Sequence, residues 1–117
     1  MSTRTLTFPI GTLTVEKGDY TASLEIEEII IPEGVTKIDD EAFIFCEHLK
    51  KVVLPKSLRI IGENAFHGCV NLEEINFPDG ISEIGLAAFC NCLSLKQPKI
   101  GKEVKIGEMA FHNTIKN

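Results

Sequence analysis

Three side chains in this sequence have the types and spacing to do chemistry together: His67, Cys90 and His112. They recur at one register position of a repeat, so successive turns of a stacked fold place His67 and His112 on either side of Cys90. Two imidazoles and a thiolate can ligate zinc, and a thiolate beside His is the usual activated nucleophile. Proximity alone makes neither. Zinc wants a fourth ligand, and catalysis wants an orienting group and a pocket, whereas this column lies on the convex, exposed flank of a stack. The expectation is therefore no cofactor, no metal and no enzyme, with His67, Cys90 and His112 as weak metal candidates. His48 reads as a loop residue.

A second sulfur column holds Cys46, Cys69 and Cys92. Four cysteines in a short chain raise a disulfide framework. Three equivalent interior positions cannot pair off evenly, however, and buried thiols behave as small hydrophobes. Reduced, structural cysteines are expected, which mildly favours a reducing compartment.

The element that positions all of these is a 23-residue period with registers starting at Thr3, Ile26, Leu49, Leu72 and Leu95. The stretch LKKVVLPKSLRIIGENAFHGCVN matches the following LEEINFPDGISEIGLAAFCNCLS column by column. Position 4 holds Leu6, Ile29, Val52 and Ile75; position 6 holds Phe8, Ile31, Leu54 and Phe77; position 7 is Pro9, Pro32, Pro55 and Pro78. Apolar–polar alternation with β-branched residues predicts a short strand that the Pro ends. A second apolar pair follows at positions 10 and 13: Val35 and Ile38, Leu58 and Ile61, Ile81 and Ile84. Val104 and Ile106 stand one residue closer, which marks a deletion in the fifth repeat. Gly62 or Gly85 then precedes an Ala-Phe pair, in Ala42-Phe43, Ala65-Phe66, Ala88-Phe89 and Ala110-Phe111. Each coil thus predicts a strand, a bend, a second extended piece and a tight helical turn. Stacked at strand spacing, about 4.8 Å, the Phe and Cys columns become buried ladders.

The ends are atypical. In residues 3–25 Tyr20 and Ser23 replace Phe and Cys, as suits a cap coil. A hairpin from Thr12 to Ile26 around Lys17-Gly18-Asp19 would serve the same purpose. In residues 95–117 Pro98 interrupts the expected strand and Gly101 stands where Pro belongs.

Composition excludes several classes. A net charge of −5 argues against nucleic acid, which needs a basic stripe. No apolar run approaches the roughly 20 residues that span a bilayer, so no membrane insertion is expected. The N-terminus lacks a basic segment followed by an apolar stretch, which reads as cytoplasmic, or as a piece of a cell-surface protein whose export signal lies elsewhere.

The pattern L-x-x-I/V-x-L/F-P-x-x-L/I-x-x-I-G-x-x-A-F-x-x-C resembles the BspA-like, or Treponema-type, leucine-rich repeat. Leu49 to Cys69 and Leu72 to Cys92 carry it almost completely, and Ile26 to Cys46 carries it with Asp39 in the Gly position. The resemblance implies a bacterial or protist protein, often surface-exposed, of a kind implicated in adhesion and protein binding, with no catalytic signature. The fold expected is one domain over residues 1–117. It is a right-handed, β-rich α/β solenoid of about five coils, with regular repeats at 26–48, 49–71 and 72–94, a parallel strand ladder on one face and short helical turns opposite.

On the strand face, position 2 reads Arg4, Glu27, Lys50, Glu73, Lys96 and position 3 reads Thr5, Glu28, Lys51, Glu74, Gln97. Opposite charges on neighbouring coils would set register and satisfy one another. Position 5 differs, with Ile30, Val53 and Asn76 pointing away from the core on an exposed sheet. Those three residues are the expected protein-binding site of a non-enzymatic interaction module, its protein partner unspecified. Self-association through the terminal coils, as a structural or assembling element or part of an adhesin-like array, is the alternative.

Overall fold

The computed structural model of the chain describes residues 4–17, 20 and 22–115. Thr3, Gly18, Asp19 and Thr21, which entered the repeat register and the hairpin alternative, lie outside the described residues. Nine short strands run in order: β1 (Thr5–Leu6), β2 (Thr14–Val15), β3 (Glu28–Ile30), β4 (Lys37–Ile38), β5 (Lys51–Val53), β6 (Ile60–Ile61), β7 (Glu74–Ile75), β8 (Glu83–Ile84) and β9 (Lys105–Ile106). They form two parallel sheets, β1-β3-β5-β7 and β2-β4-β6-β8-β9. Each strand pairs with the strand one repeat away, Ile29 with Val52 and Ile38 with Ile61 for example. Strand β2 joins this parallel register, Val15 beside Ile38, so the described part of the first repeat is a turn of the stack rather than a hairpin.

The sheets form where β-branched residues alternate inward. Ile29, Val52, Ile38, Ile61 and Ile84 are essentially fully buried. Each ladder stops where the chain must bend, and Pro32, Pro55 and Pro78 have no N–H with which to continue the first. At the second bend the turns approach closely. A Cβ on Gly85 would meet the Glu63 nitrogen at 2.7 Å and the Gly62 carbonyl carbon at 2.8 Å, so only glycine fits.

The segment opposite the strands is not helical, which corrects the expected helical turns; among the described residues there is no helix, hence none able to cross a membrane. The reason is a different use of the amide groups. Alternate N–H groups along this face leave their own turn and donate to carbonyls of the next, such as Phe43 to Ala65 at 2.9 Å, Phe66 to Ala88 at 2.8 Å and Phe89 to Ala110 at 2.7 Å. A helix would have kept those bonds within the segment. Left-handed residues flank each Phe to make this possible: Glu41, Asn64, Ala87 and Met109 on one side, and Phe45, Gly68, Asn91 and Asn113 on the other, all near φ +54 to +77°. All these cross-turn bonds run in one sense, from N–H toward the C-terminal end of the stack.

Between the faces, Tyr20, Phe43, Phe66, Phe89 and Phe111 stack along the molecule at centroid separations of 5.2 to 5.5 Å. Offset stacking of this kind adds about 0.5–1.5 kcal/mol per pair beyond burial. Cys46, Cys69 and Cys92 are free thiols in a parallel column, and each donates its S–H to the Tyr20, Phe43 or Phe66 carbonyl, at 3.1 to 3.2 Å. They are buried donors filling an acceptor, not a disulfide framework.

The solenoid has about four turns rather than five, because the last repeat joins only one sheet. Strand β9 pairs with β8 in a register of Ile84 to Ile106, one residue shorter than elsewhere, which absorbs the deletion. Residues 95–98 do not join the first sheet. The Gln97 N–H turns away to the Ile115 carbonyl at 2.9 Å, and the Ile115 N–H donates to Leu95 at 2.8 Å.

Candidate functional site: the outer face of the first sheet

The strands of the first sheet carry their position 4 residues inward and their position 5 residues outward, so the outer face is built from single side chains at 23-residue spacing. Ile30 and Val53 are direct neighbours in the β3–β5 register. Ile30 is 38% exposed and Val53 half-buried, so together they make a small apolar patch on an otherwise polar sheet. Asn76 continues the column and is exposed, but its side chain faces back along the stack. The Leu54 N–H donates to its Oδ1 at 2.8 Å, and its Nδ2 donates to the Leu54 carbonyl at 2.9 Å. One turn earlier the equivalent bond is made by backbone alone, Ile31 N–H to the Val53 carbonyl at 3.0 Å. Asn76 therefore substitutes for backbone and ends β7 after two residues.

The charged columns stand in the expected register, with Glu28 beside Lys51 and Lys51 beside Glu74. They do not close. Among the described residues the ion pairs are Arg4 with Glu25 at 3.6 Å and Lys37 with Asp39 at 3.7 Å, both exposed and neither within the ladder. Exposed, open pairs of this kind contribute little. The Glu28 carboxylate instead accepts a hydrogen bond from the Thr5 hydroxyl at 3.4 Å. The charges of this face are consequently solvated and open to a partner, contrary to the expected mutual satisfaction.

Toward the end of the first sheet the face drops into an open depression of about 550 Å³ lined by Lys51–Val53 of β5, Glu73–Asn76 and the diverging residues 95–98. Ile75 marks it. The equivalent Ile29 and Val52 are sealed, but Ile75 is half-buried because no strand covers its far side. Sequence reasoning found Pro98 inside an expected strand but neither the loss of that strand nor this space, which arises only when the second sheet continues without the first.

The chemistry-bearing column looks different from its spacing. Cys90 is buried and His112 exposed, while His67 meets the Phe45 ring edge-on at 5.5 Å and has a buried Nδ1 with no hydrogen-bond partner. Among the described residues no group of three His, Cys, Asp or Glu side chains gathers to hold a metal. Burial pushes the Cys90 thiol above the usual range, the opposite of an activated nucleophile. Burial likewise lifts Cys69 and pushes Cys92 up to about 12. The Asp39 carboxylate, standing where other repeats have Gly, is held low by the Asp40 N–H that donates to it at 2.8 Å.

Similar proteins share this architecture. A leucine-rich repeat protein of Treponema pallidum is 37% identical over 68% of this chain and 40% of its own, with a TM-score of 0.62. One from Bacteroides ovatus is 26% identical over 94% of this chain and 34% of its own, with a TM-score of 0.74. The pneumococcal vaccine antigen PcpA, 22% identical over 97% of this chain and 39% of its own, shares the fold at a TM-score of 0.65. The chain thus spans about 34 to 40% of the length of these solved relatives. Comparison with curated proteins finds no match. The family described as BspA type leucine rich repeat region matches residues 2–117 in six copies, and the chain belongs to that family.

Proposed function

We propose that this chain is a non-enzymatic protein-interaction module that binds through the outer face of its first sheet. The observation that carries the reading is the adjacent pair Ile30 and Val53, an apolar patch beside open, solvated charges on a rigid parallel sheet. An apolar centre within a polar rim is the usual anatomy of an interface. Asn76 lies at the patch border as a support for Leu54 rather than as a free contact. The test is capture from an extract of the source organism, comparing wild type with Val53→Asp and, as a control on the opposite side, Asn113→Asp. A partner retained by the control and lost with Val53→Asp, at unchanged circular dichroism, supports the reading. Equal retention by both variants sinks it.

One observation favours assembly as a second reading. The last turn shows Ile106 and Met109 exposed, and the N–H groups of Met109 and Phe111 have no acceptor among the described residues. Such an end fits a further turn of the same repeat, in this chain's continuation or in a second copy. Light scattering over a wide concentration range tests the second copy. Mass growing with concentration and falling on Ile106→Asp supports it, and a constant monomer mass rejects it.

A further inference from the structure

We infer that the free edge of β7 is a strand-addition site for an extended basic peptide of the type Lys-Lys-Val-Val. The site is the edge of the first sheet, and the depression against it reaches Val53 of the face patch but not Ile30. Three observations on this edge converge. First, every earlier turn hooks its neighbour by the same bond: the Glu27 N–H to the Arg4 carbonyl at 2.9 Å, Lys50 to Glu27 at 2.8 Å and Glu73 to Lys50 at 2.9 Å. The series stops there: the Gln97 amide is spent on Ile115, and among the described residues of the last repeat none donates to the Glu73 carbonyl or pairs with the outer edge of β7. An unpaired edge of this kind is a template for another extended chain.

Second, the space is present. The depression of about 550 Å³ lies against β7, and Ile75 offers its uncovered flank as the floor for one apolar side chain. Third, the strand already paired with β7 specifies the occupant, whose lysines would meet Glu73 and Glu74 although Lys51 and Lys96 also line the depression. β7 presents Glu73 and Glu74, both exposed, and the strand paired to its other edge is Lys51–Val53 preceded by Lys50, with Lys51 directly beside Glu74 and Val52 beside Ile75. Side chains of β7 stand beside a neighbour on either side, so a peptide of that composition in register on the free edge meets the same carboxylates and the same isoleucine, while its main chain meets the alternate set of β7 backbone groups. Cross-strand pairs of opposite charge and of β-branched residues are the units that stabilise such an addition. Pro98 on the far wall, without an N–H, cannot compete for the peptide's carbonyls.

The experiment uses the full chain and a fluorescently labelled peptide of sequence LKKVVLP, residues 49–55 of this protein, with binding read by anisotropy. Saturable binding is expected. Glu74→Lys should weaken it by about tenfold, as an attractive cross-strand pair becomes a repulsive one, and a peptide with Glu in place of both Lys should recover binding to that variant. A backbone N-methylated LKKVVLP should not bind, because strand addition runs through main-chain amides; this arm needs no protein variant. Ile30→Asp, on the face rather than the edge, should leave peptide binding unchanged, so loss of the face and loss of the edge are read separately. Absence of binding, equal binding of the N-methylated peptide, or indifference to Glu74→Lys each overturns the proposal.

Discussion

The two sheets of this solenoid are made from the same repeats and end differently. The second accepts a deleted residue and carries on to β9 by shifting its pairing by one, Ile84 to Ile106. The first meets Asn76 and then Pro98 and stops at β7. The deletion is tolerated because it falls just before the paired residues, so Lys105 and Ile106 still pair with Glu83 and Ile84 and the Lys105 N–H still reaches the Ser82 carbonyl at 3.0 Å. A side-chain substitution inside a strand is not, since it changes which groups the edge can offer the next turn. In a stack of equivalent turns, then, length is forgiven in bends and composition is enforced in strands.

Breaking the second sheet should cost most. Gly85→Ala drives a Cβ against backbone atoms of Gly62 and Glu63 that cannot step aside, and roughly 2–3 kcal/mol of stability should be lost by urea denaturation. Gly101→Ala, whose Cβ meets only the movable Glu103 side chain, is the matched control, expected within about 0.5 kcal/mol of wild type. The thiol column is buried against the carbonyls of the Phe face and should weaken the fold at alkaline pH. Cys92 titrates in the unfolded chain near about pH 8.5 but only at about 12 when folded. Its contribution is therefore whole below the lower value and lost as pH rises between them, by up to about 1.4 kcal/mol per pH unit. Urea midpoints from pH 7 to 10 should fall more steeply for wild type than for Cys92→Ser.

Loosening the first sheet should cost less. Asn76→Ala leaves the Leu54 amide and carbonyl without their partner, at about 1–2 kcal/mol, with faster hydrogen exchange at Leu54 and little change at Ile61. The smallest effect is a gain. Ala87 holds φ 54°, where an L residue is strained, and Ala87→Gly should stabilise by about 0.5–1 kcal/mol in the same assay. A loss there would mean that the Ala87 methyl packs better than its backbone suffers.

Much of this fold can be read in the sequence because burial repeats with the period. Ile29, Val52, Phe66 and Cys69 are all sealed inside, and the register of Val15, Ile38, Ile61 and Ile84 follows from spacing alone. The face opposite was misread for a physical reason. Ala-Phe followed by Cys three residues later has the apolar spacing of a helical turn, and only the left-handed flanks show otherwise. Asn64, Gly68, Asn91 and Asn113 carry that signal; Glu41, Phe45, Ala87 and Met109 conceal it. The outer face of the first sheet was legible as far as direction: Ile30 and Val53 do point outward side by side. Whether Glu28, Lys51 and Glu74 close into pairs, and that Asn76 turns back to serve Leu54, depends on side-chain reach, which spacing does not encode. The depression beside β7 required both sheets at once.

The one-way sense of the cross-turn bonds on the Phe face has an electrical consequence. Sheet dipoles largely cancel, but amides that all aim N–H toward the same end add up, as they do along a helix. The Phe face is therefore a polar flank whose N–H groups aim at the turn bearing Met109 and Phe111, while ladder amides such as those of Lys50, Gly62 and Gly85 aim the other way and offset it elsewhere. Residues 95–117 reinforce it with five of the twelve Lys and Arg and only two of the seventeen Asp and Glu, a net +3 against −8 for the remainder. On this flank an anionic group within about a Debye length is drawn toward the Met109 end, a place separate from the Glu73–Glu74 edge of β7.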